Sequence, residues 1–260
     1  MHFRLWHWLT LVLLSVSVLP AQATRYEITT TADTEDGSEC SIRNAVEAIN
    51  TQEPVGACES GEGNDRINLD EGENYELTEM LEIGNPDESI NPDVRIVIED
   101  FDDDLDQKNA VLKMKEGSTD RAFRIKSNAA LELSKITVTN GHASGSGEEE
   151  NGGLVYVESS AALTITDEAR LENGTADGLG GLVYSDSGTI SIRGESRLVN
   201  GVATGGGAIY LGGDANSATL EIDTSAVEDN DANSGNGGGL AFAPEFNGFV
   251  SLNRSYIGGN

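Results

Sequence analysis

The feature that most constrains the fold is a repeat of about 30 residues in the second half of the chain. Each copy begins with alternating apolar and polar residues, as a short β-strand does, and ends in an asparagine. A loose first copy is LELSKITVTN (131–140), and four regular copies follow: LTITDEARLEN (163–173), ISIRGESRLVN (190–200), LEIDTSAVEDN (220–230) and VSLNRSYIGGN (250–260). The closing residues are Asn140, Asn173, Asn200, Asn230 and Asn260.

A second motif recurs between these asparagines. It consists of a glycine pair, two apolar residues and an aromatic residue, and it occurs as GGLVY (152–156), GGLVY (180–184), GGAIY (206–210) and GGLAF (238–242). The aromatic members are Tyr156, Tyr184, Tyr210 and Phe242. Because the distance from each asparagine to the next glycine pair varies, we expect one loop per repeat to absorb the changes in length.

Short strands joined by glycine-rich turns predict an all-β solenoid, the parallel β-helix. Ankyrin and tetratricopeptide repeats need helices for which the repeat has no room. Leucine-rich repeats have a similar period, but their leucine–asparagine signature and helical half are missing. The 31 glycines and the aromatic content of 5% argue against one large globular core.

In such a stack, equivalent positions of successive coils lie about 4.8 Å apart and form columns. The five asparagines are therefore predicted to form one side-chain ladder, and the four aromatic residues one column. A ligand-binding asparagine row and a sugar-stacking aromatic platform are the functional alternatives. The pattern leaves open whether the tyrosines point inward or their neighbours do, namely Val155, Val183, Ile209 and Ala241.

The first 23 residues have the pattern of a secretory signal peptide. Arg4 precedes a long apolar run, and Ala21 and Ala23 provide the small residues of a cleavage site after Ala23. An uncleaved anchor helix is the alternative. No other segment is apolar enough to cross a membrane, so we expect an exported protein, extracellular or at the outer-membrane surface.

The composition excludes several function classes. After removal of residues 1–23, His142 is the only histidine, which rules out a multi-histidine zinc centre and disfavours a Ser-His-Asp triad. The net charge of −29 makes nucleic acid an improbable partner. The run EDFDDDLD (99–106) favours a solvated turn, with calcium binding as the alternative. No cofactor is predicted.

A short helix precedes the strands. Ile42, Ala45, Val46 and Ile49 form one apolar stripe, and Ser41 is a good N-cap. Cys40 and Cys58 are the only cysteines and, in an exported chain, are expected to form a disulfide; two free thiols are the alternative. The segment is predicted to cap the first coil.

The sequence around this helix resembles the N-terminal motif of exported bacterial CSLREA-domain proteins. The motif stands here as Cys40-Ser41-Ile42-Arg43-Asn44-Ala45, and the coils resemble the repeats of polymorphic outer-membrane proteins. The resemblance implies a right-handed parallel β-helix, export and a surface setting, and it brings no catalytic residues. Asn44 replaces the family's glutamate, so we expect a weaker capping box.

The predicted organisation is a signal peptide (1–23), an N-terminal cap (24–64), irregular first coils (65–130) and regular coils (131–260). The repeat reaches the last residue with no capping element, and we expect the sequence to be part of a longer protein.

These features favour a non-enzymatic surface or secreted β-helix, adhesin-like, passenger-like or structural. Its candidate partners are a carbohydrate or a component of a host or neighbouring cell surface. The alternative is a carbohydrate-active enzyme, a polysaccharide lyase or glycosidase, for which arginines and carboxylates of the repeats are candidates: Arg170, Arg193, Arg197, Arg254, Asp167, Glu195 and Asp223.

Overall fold

A computed structural model describes residues 23–34, 37–61, 64–85, 95–100, 109–213 and 218–260. The described chain is a parallel β-helix of about six turns. Six coils between Asn64 and Phe242 each contribute a strand to each of three long sheets, and the last four of these also contribute to a fourth, short sheet. Residues 1–22 of the predicted signal peptide and the acidic residues Asp102, Asp103, Asp104 and Asp106 lie outside the described residues.

The sheets run along the solenoid, and every strand pair in them is parallel. The eight-stranded sheet contains Arg25–Glu27, Asn64–Leu69, Arg95–Asp100, Ala130–Ser134, Ala162–Thr166, Thr189–Ile192, Thr219–Asp223 and Phe249–Asn253. The seven-stranded sheet contains Asn74–Leu77, Ala110–Met114, Ile136–Thr139, Arg170–Glu172, Arg197–Val199, Ala226–Glu228 and Tyr256–Gly258. The six-stranded sheet contains Leu81–Ile83, Phe123–Ile125, Val155–Val157, Val183–Ser185, Ile209–Leu211 and Leu240–Phe242. The four-stranded sheet contains His142–Ala143, Thr175–Ala176, Val202–Ala203 and Asp231–Ala232.

Strict register between coils builds the core from columns of like residues. Leu163 pairs with Ile190, which pairs with Leu220, and all three side chains are buried. Alternation along each strand sends the intervening residues to the outer surface. The core is therefore a set of aliphatic stacks inside the coils, as the period-two pattern predicts.

The α-helix Ile42–Thr51 covers the first coil. The Ser41 side chain accepts a hydrogen bond from the Asn44 amide, which confirms the predicted N-cap. The predicted stripe of Ile42, Ala45, Val46 and Ile49 is buried in the same core cluster as the first strands. The Asn44 side chain donates to the carbonyl of Glu39 at 3.3 Å, so it ties down the segment before the helix. In the part of the chain that the structure describes, no helix has the length and apolar character needed to span a bilayer.

Two links hold the cap in place. The first is the predicted disulfide between Cys40 and Cys58, with a Cα–Cα distance of 4.9 Å. The second is the buried carboxylate of Asp33, which accepts two bonds of 2.7 Å from the Arg43 guanidinium and further bonds from the amide and hydroxyl of Thr78. Burial opposes the charged form, but these bonds hold the pKa of Asp33 below its ordinary value. This link therefore stabilises the fold above about pH 3.9, and its contribution declines as the pH falls through the lower folded pKa.

The double substitution Cys40→Ala and Cys58→Ala should lower the free energy of unfolding by about 3 kcal/mol, because the unfolded chain regains the freedom of the closed loop. Urea unfolding followed by far-UV circular dichroism measures the change. Reduction of the unchanged protein should give the same shift. An unaltered midpoint in both experiments would show that the disulfide contributes nothing to the cap.

Candidate functional site

The five asparagines predicted as one ladder occupy two columns, so that prediction was wrong. Strand register places Asn140, Asn173 and Asn200 at one turn position, where Asp229 and Gly259 follow in the next coils. All five residues of this column have positive φ, between 55° and 73°. Only residue types that tolerate this left-handed backbone occur in it.

The first three asparagines are linked along the axis, Asn140 only through the Thr139 hydroxyl, which donates to Asn140 Oδ1 at 3.0 Å. Asn200 Nδ2 donates to Asn173 Oδ1, Asn173 Nδ2 donates to Thr139 Oγ1, and both distances are 3.2 Å. Asn140 and Asn173 also border a groove of about 660 Å³ that includes His142.

Asn230 and Asn260 lie one residue further along the chain, in a column that begins with Gly141, Gly174 and Gly201. Asn230 is buried; its Nδ2 donates to Asn260 Oδ1 at 2.9 Å, and its Oδ1 accepts from the Gly201 amide at 2.7 Å. A Cβ on Gly201 would stand 2.2 Å from the carbonyl oxygen of Gly207, so a side chain cannot enter that coil.

Asn230 and Asn260 are offset by one residue from the first three asparagines because of the corner between the eight-stranded and the seven-stranded sheet. We count from the last residues of the eight-stranded sheet that are equivalent in register, namely Thr166, Arg193, Asp223 and Asn253. Three residues (167–169 and 194–196) then precede the seven-stranded sheet in two coils, whereas two residues (224–225 and 254–255) do so in the last two. Length changes are therefore not confined to one loop, contrary to the sequence-based expectation.

The aromatic column is also shorter than predicted. Tyr156, Tyr184 and Tyr210 are in register, but the next position is Ala241, and Phe242 pairs with Leu211. The glycine pair of the last coil is thus Gly237–Gly238, because the chain has three consecutive glycines there. Phe242 packs against Phe246 with ring centroids 5.0 Å apart.

The structure answers the question of orientation. Val155, Val183 and Ile209 are fully buried in the core, and the three tyrosines stand on the outer surface, where we call them the tyrosine row (Tyr156, Tyr184, Tyr210). Their rings stack with centroid distances of 5.1 and 5.8 Å. The chain continues the same column toward the N-terminus with Arg124 and Glu82.

Arginines and carboxylates close the row at its N-terminal end. The guanidinium carbons of Arg121 and Arg124 lie 5.1 and 5.2 Å from the centroid of the Tyr156 ring, within the range of cation–π attraction. Arg124 also binds Glu158 at 2.7 Å and Glu148 at 2.8 Å. Tyr156 is only 3% exposed as a result, whereas Tyr184 and Tyr210 remain half-buried.

This environment makes the hydroxyls of the row weak acids. Burial, and next the charge of Asp186, raise the pKa of Tyr184 to about 12. Burial and then Glu245 raise the pKa of Tyr210, and burial and then Glu148 raise that of Tyr156. The hydroxyls stay protonated and can donate hydrogen bonds throughout the physiological range.

A second candidate lies on the seven-stranded sheet, in the two coils with the longer corner. Glu168 and Glu195 both have φ of 64°, a conformation that glutamate rarely adopts, and both line one groove of about 520 Å³. Register partners Arg170 and Arg197 line the same groove. We call this group the arginine groove (Glu168, Arg170, Glu195, Arg197).

The groove brings together three of the residues predicted as enzyme candidates, Arg170, Arg197 and Glu195, and adds Glu168. Both arginines are engaged: Arg170 with Glu172, and Arg197 with Glu228 at 2.8 Å. Glu168 was missed although a signal existed, since alignment of the corners DEA (167–169) and GES (194–196) puts the two glutamates at one position.

The remaining candidates lie apart from this groove. Asp223 binds Arg254 at 3.6 Å, and Arg193 Nε donates to Thr166 at 3.3 Å, at the corner beside the eight-stranded sheet. His142 is exposed and contacts Asp177 at 3.2 Å. Within the described ranges, no three His, Cys, Asp or Glu side chains are grouped so as to hold a metal ion.

No protein-family model, no curated protein and no solved structure matches this chain.

The raised pKa of Tyr184 predicts a loss of stability at alkaline pH. The contribution of Tyr184 to the free energy of unfolding is complete below about pH 10, the pKa of tyrosine in the unfolded chain. It is lost as the pH rises through the higher pKa of Tyr184 in the folded protein. Urea midpoints measured from pH 9 to 12 (roughly the span of the two pKa values) should therefore decline. In Tyr184→Phe the decline should be shallower, and ultraviolet absorbance should show one late-titrating tyrosine fewer. An identical decline in both proteins would contradict the role assigned to Tyr184.

Proposed function

We propose that the chain is an exported β-helix protein that acts without catalysis at a cell surface, as an adhesin or a structural passenger. The resemblance of its N-terminal segment to CSLREA-domain proteins supports export and a surface setting. The disulfide is consistent with an oxidising compartment.

The observation that carries the proposal is the outward tyrosine row. Tyr184 and Tyr210 are half-buried aromatic residues with hydroxyl donors, and the carboxylates of Asp186 and Glu245 lie close enough to raise their pKa. Aromatic rings beside hydrogen-bonding carboxylates are suited to the apolar faces and hydroxyls of a sugar. A carbohydrate of a host or neighbouring cell surface is therefore the proposed partner.

A glycan array probed with residues 24–260 tests this proposal. Tyr210→Ala should weaken binding to the recognised glycans about fivefold, the loss expected for one aromatic contact of about 1 kcal/mol. Tyr256→Ala is the matched control, since Tyr256 is 58% exposed but lies on the seven-stranded sheet. Equal loss in both variants, or no glycan binding by the unchanged protein, would refute the carbohydrate proposal.

The arginine groove favours a second candidate, a carbohydrate-active enzyme. Glycoside hydrolysis uses two carboxylates, one as acid and one as base or nucleophile, and Glu168 and Glu195 face one groove from adjacent coils. The arginines would bind an acidic sugar. Each would first have to leave its present partner, Glu172 or Glu228.

Assays on neutral polysaccharides and polyuronates, with and without calcium, separate the two candidates. If the groove is catalytic, Glu168→Gln and Glu195→Gln should each reduce turnover at least about 100-fold, the effect of losing a general acid or base. Glu221→Gln is the control, because Glu221 is exposed on the eight-stranded sheet and does not line the groove. If the protein turns over none of these substrates, the enzyme hypothesis is wrong and the non-catalytic proposal stands.

A further inference from the structure

Arg121 is a fully buried cation whose donors are only partly used. Its side chain is 0% exposed, and its Nη2 donates to the carbonyl of Glu148 at 2.8 Å. Its Nε and Nη1 have no hydrogen-bond partner among the described residues. Burial of a charged group in this way is costly, so the unsatisfied donors need an explanation. A ligand supplies one, provided that the residues covering Arg121 can move.

Arg121 and Arg124 replace two members of the glycine–aromatic motif. Strand register aligns DRAFR (120–124) with GGLVY (152–156), so Arg124 stands where the next coils have tyrosine and Arg121 where they have glycine. In those coils no side chain fits, since a Cβ on Gly153 would stand 2.2 Å from a backbone carbonyl oxygen. The guanidinium pair therefore occurs at one end of the tyrosine row only, against its first ring.

An acidic insertion covers the two arginines. Eleven residues (144–154) join the four-stranded to the six-stranded sheet here, whereas six (177–182) do so in the next coil. The added residues include the 3₁₀ turn Gly147–Glu150, which buries no side chain and is preceded by glycines with positive φ. Asn151 anchors the end of the turn, since its Oδ1 accepts from the amide of Leu179 at 2.8 Å. Because the turn adds nothing to the apolar core, it can open while the coils stay folded.

The turn is held over the arginines by ion pairs that are exposed to water. Glu148 and Glu149 bind Arg124 at 2.8 and 3.7 Å, and Glu149 lies 3.8 Å from Arg121. The side chains of both glutamates are more than half exposed, and exposed ion pairs contribute little to stability. Glu158 differs, because its side chain is mostly buried, and it binds Nε of Arg124 at 2.7 Å. Glu158 therefore fixes the position of Arg124, while another carboxylate can replace Glu148 and Glu149.

We propose that Arg121, Arg124 and the ring of Tyr156 form a subsite for the carboxylate of an acidic sugar, a uronic or sialic acid, and that Glu148 and Glu149 occupy it until such a sugar displaces them. Guanidinium groups bind carboxylates through paired hydrogen bonds, and an aromatic ring suits the apolar face of a sugar. The rest of the glycan would lie along the tyrosine row. The inference rests on the proposed carbohydrate function and adds the class of sugar.

An array of paired glycans, each acidic glycan beside its neutral counterpart, tests the proposal with residues 24–260. The double variant Glu148→Gln and Glu149→Gln should bind the acidic members more tightly and the neutral members unchanged. A cover that is closed in about nine molecules of ten lowers the apparent affinity about tenfold, so the gain should approach that factor. Arg124→Gln should weaken binding of the acidic members at least about tenfold, the loss expected for one hydrogen bond to a charged group.

The control is the double variant Glu150→Gln and Glu221→Gln. It removes the same number of charges from side chains that contact neither arginine in the part of the chain that the structure describes, so binding should not change. Circular dichroism checks the fold of every variant. Because the exposed glutamates are changed and Arg121 is not, the main test does not depend on a substitution in the core.

Three results would overturn the subsite. They are an equal gain for acidic and neutral glycans, an equal gain in the control, and no binding of any acidic glycan by the unchanged protein or the Glu148→Gln and Glu149→Gln variant. The carbohydrate proposal would survive each of them if neutral glycans still bind and Tyr210→Ala weakens that binding. If no glycan of either kind binds, both proposals are wrong.

Discussion

The constraint on which the rest of the structure depends is the in-register parallel pairing of each coil with the next. Every described strand has its partner in a neighbouring coil, so each residue repeats the environment of the residue above it. The inward-facing columns therefore consist of apolar residues, as in Leu163, Ile190 and Leu220. Stability in such a stack comes mainly from neighbouring coils, and a change in one coil acts first on the next.

Backbone conformation, more than side-chain chemistry, determines which residues occupy the turns. The left-handed position after the seven-stranded sheet holds Asn140, Asn173 and Asn200, and then Asp229 and Gly259. A ladder of amides forms only where asparagine happens to fill this position in consecutive coils. The neighbouring glycine column is governed by a close approach of two backbones, as at Gly201.

The sequence predicted the solenoid, the cap helix and the disulfide because each has a local signal: alternation, an apolar stripe after Ser41, and two cysteines in a chain that is predicted to be exported. It did not predict the columns correctly. A corner that is one residue shorter cannot be recognised in the sequence when the repeat still ends in asparagine, as at Asn230. Three consecutive glycines allow two alignments of the last glycine pair, so the sequence does not determine the register of Phe242. Register errors of one residue reverse which face a side chain occupies, so the site residues are the most sensitive to them.

Inner and outer columns are under different physical demands. Phe123, Val155 and Ile209 stay apolar along the six-stranded sheet because they fill the core. One position further along the strand, the outward column changes from Arg124 to Tyr156 and the tyrosines that follow, without disturbing that core. Outward columns and corners that gain a residue can therefore vary while the core stays the same, and the tyrosine row and the arginine groove lie at such positions.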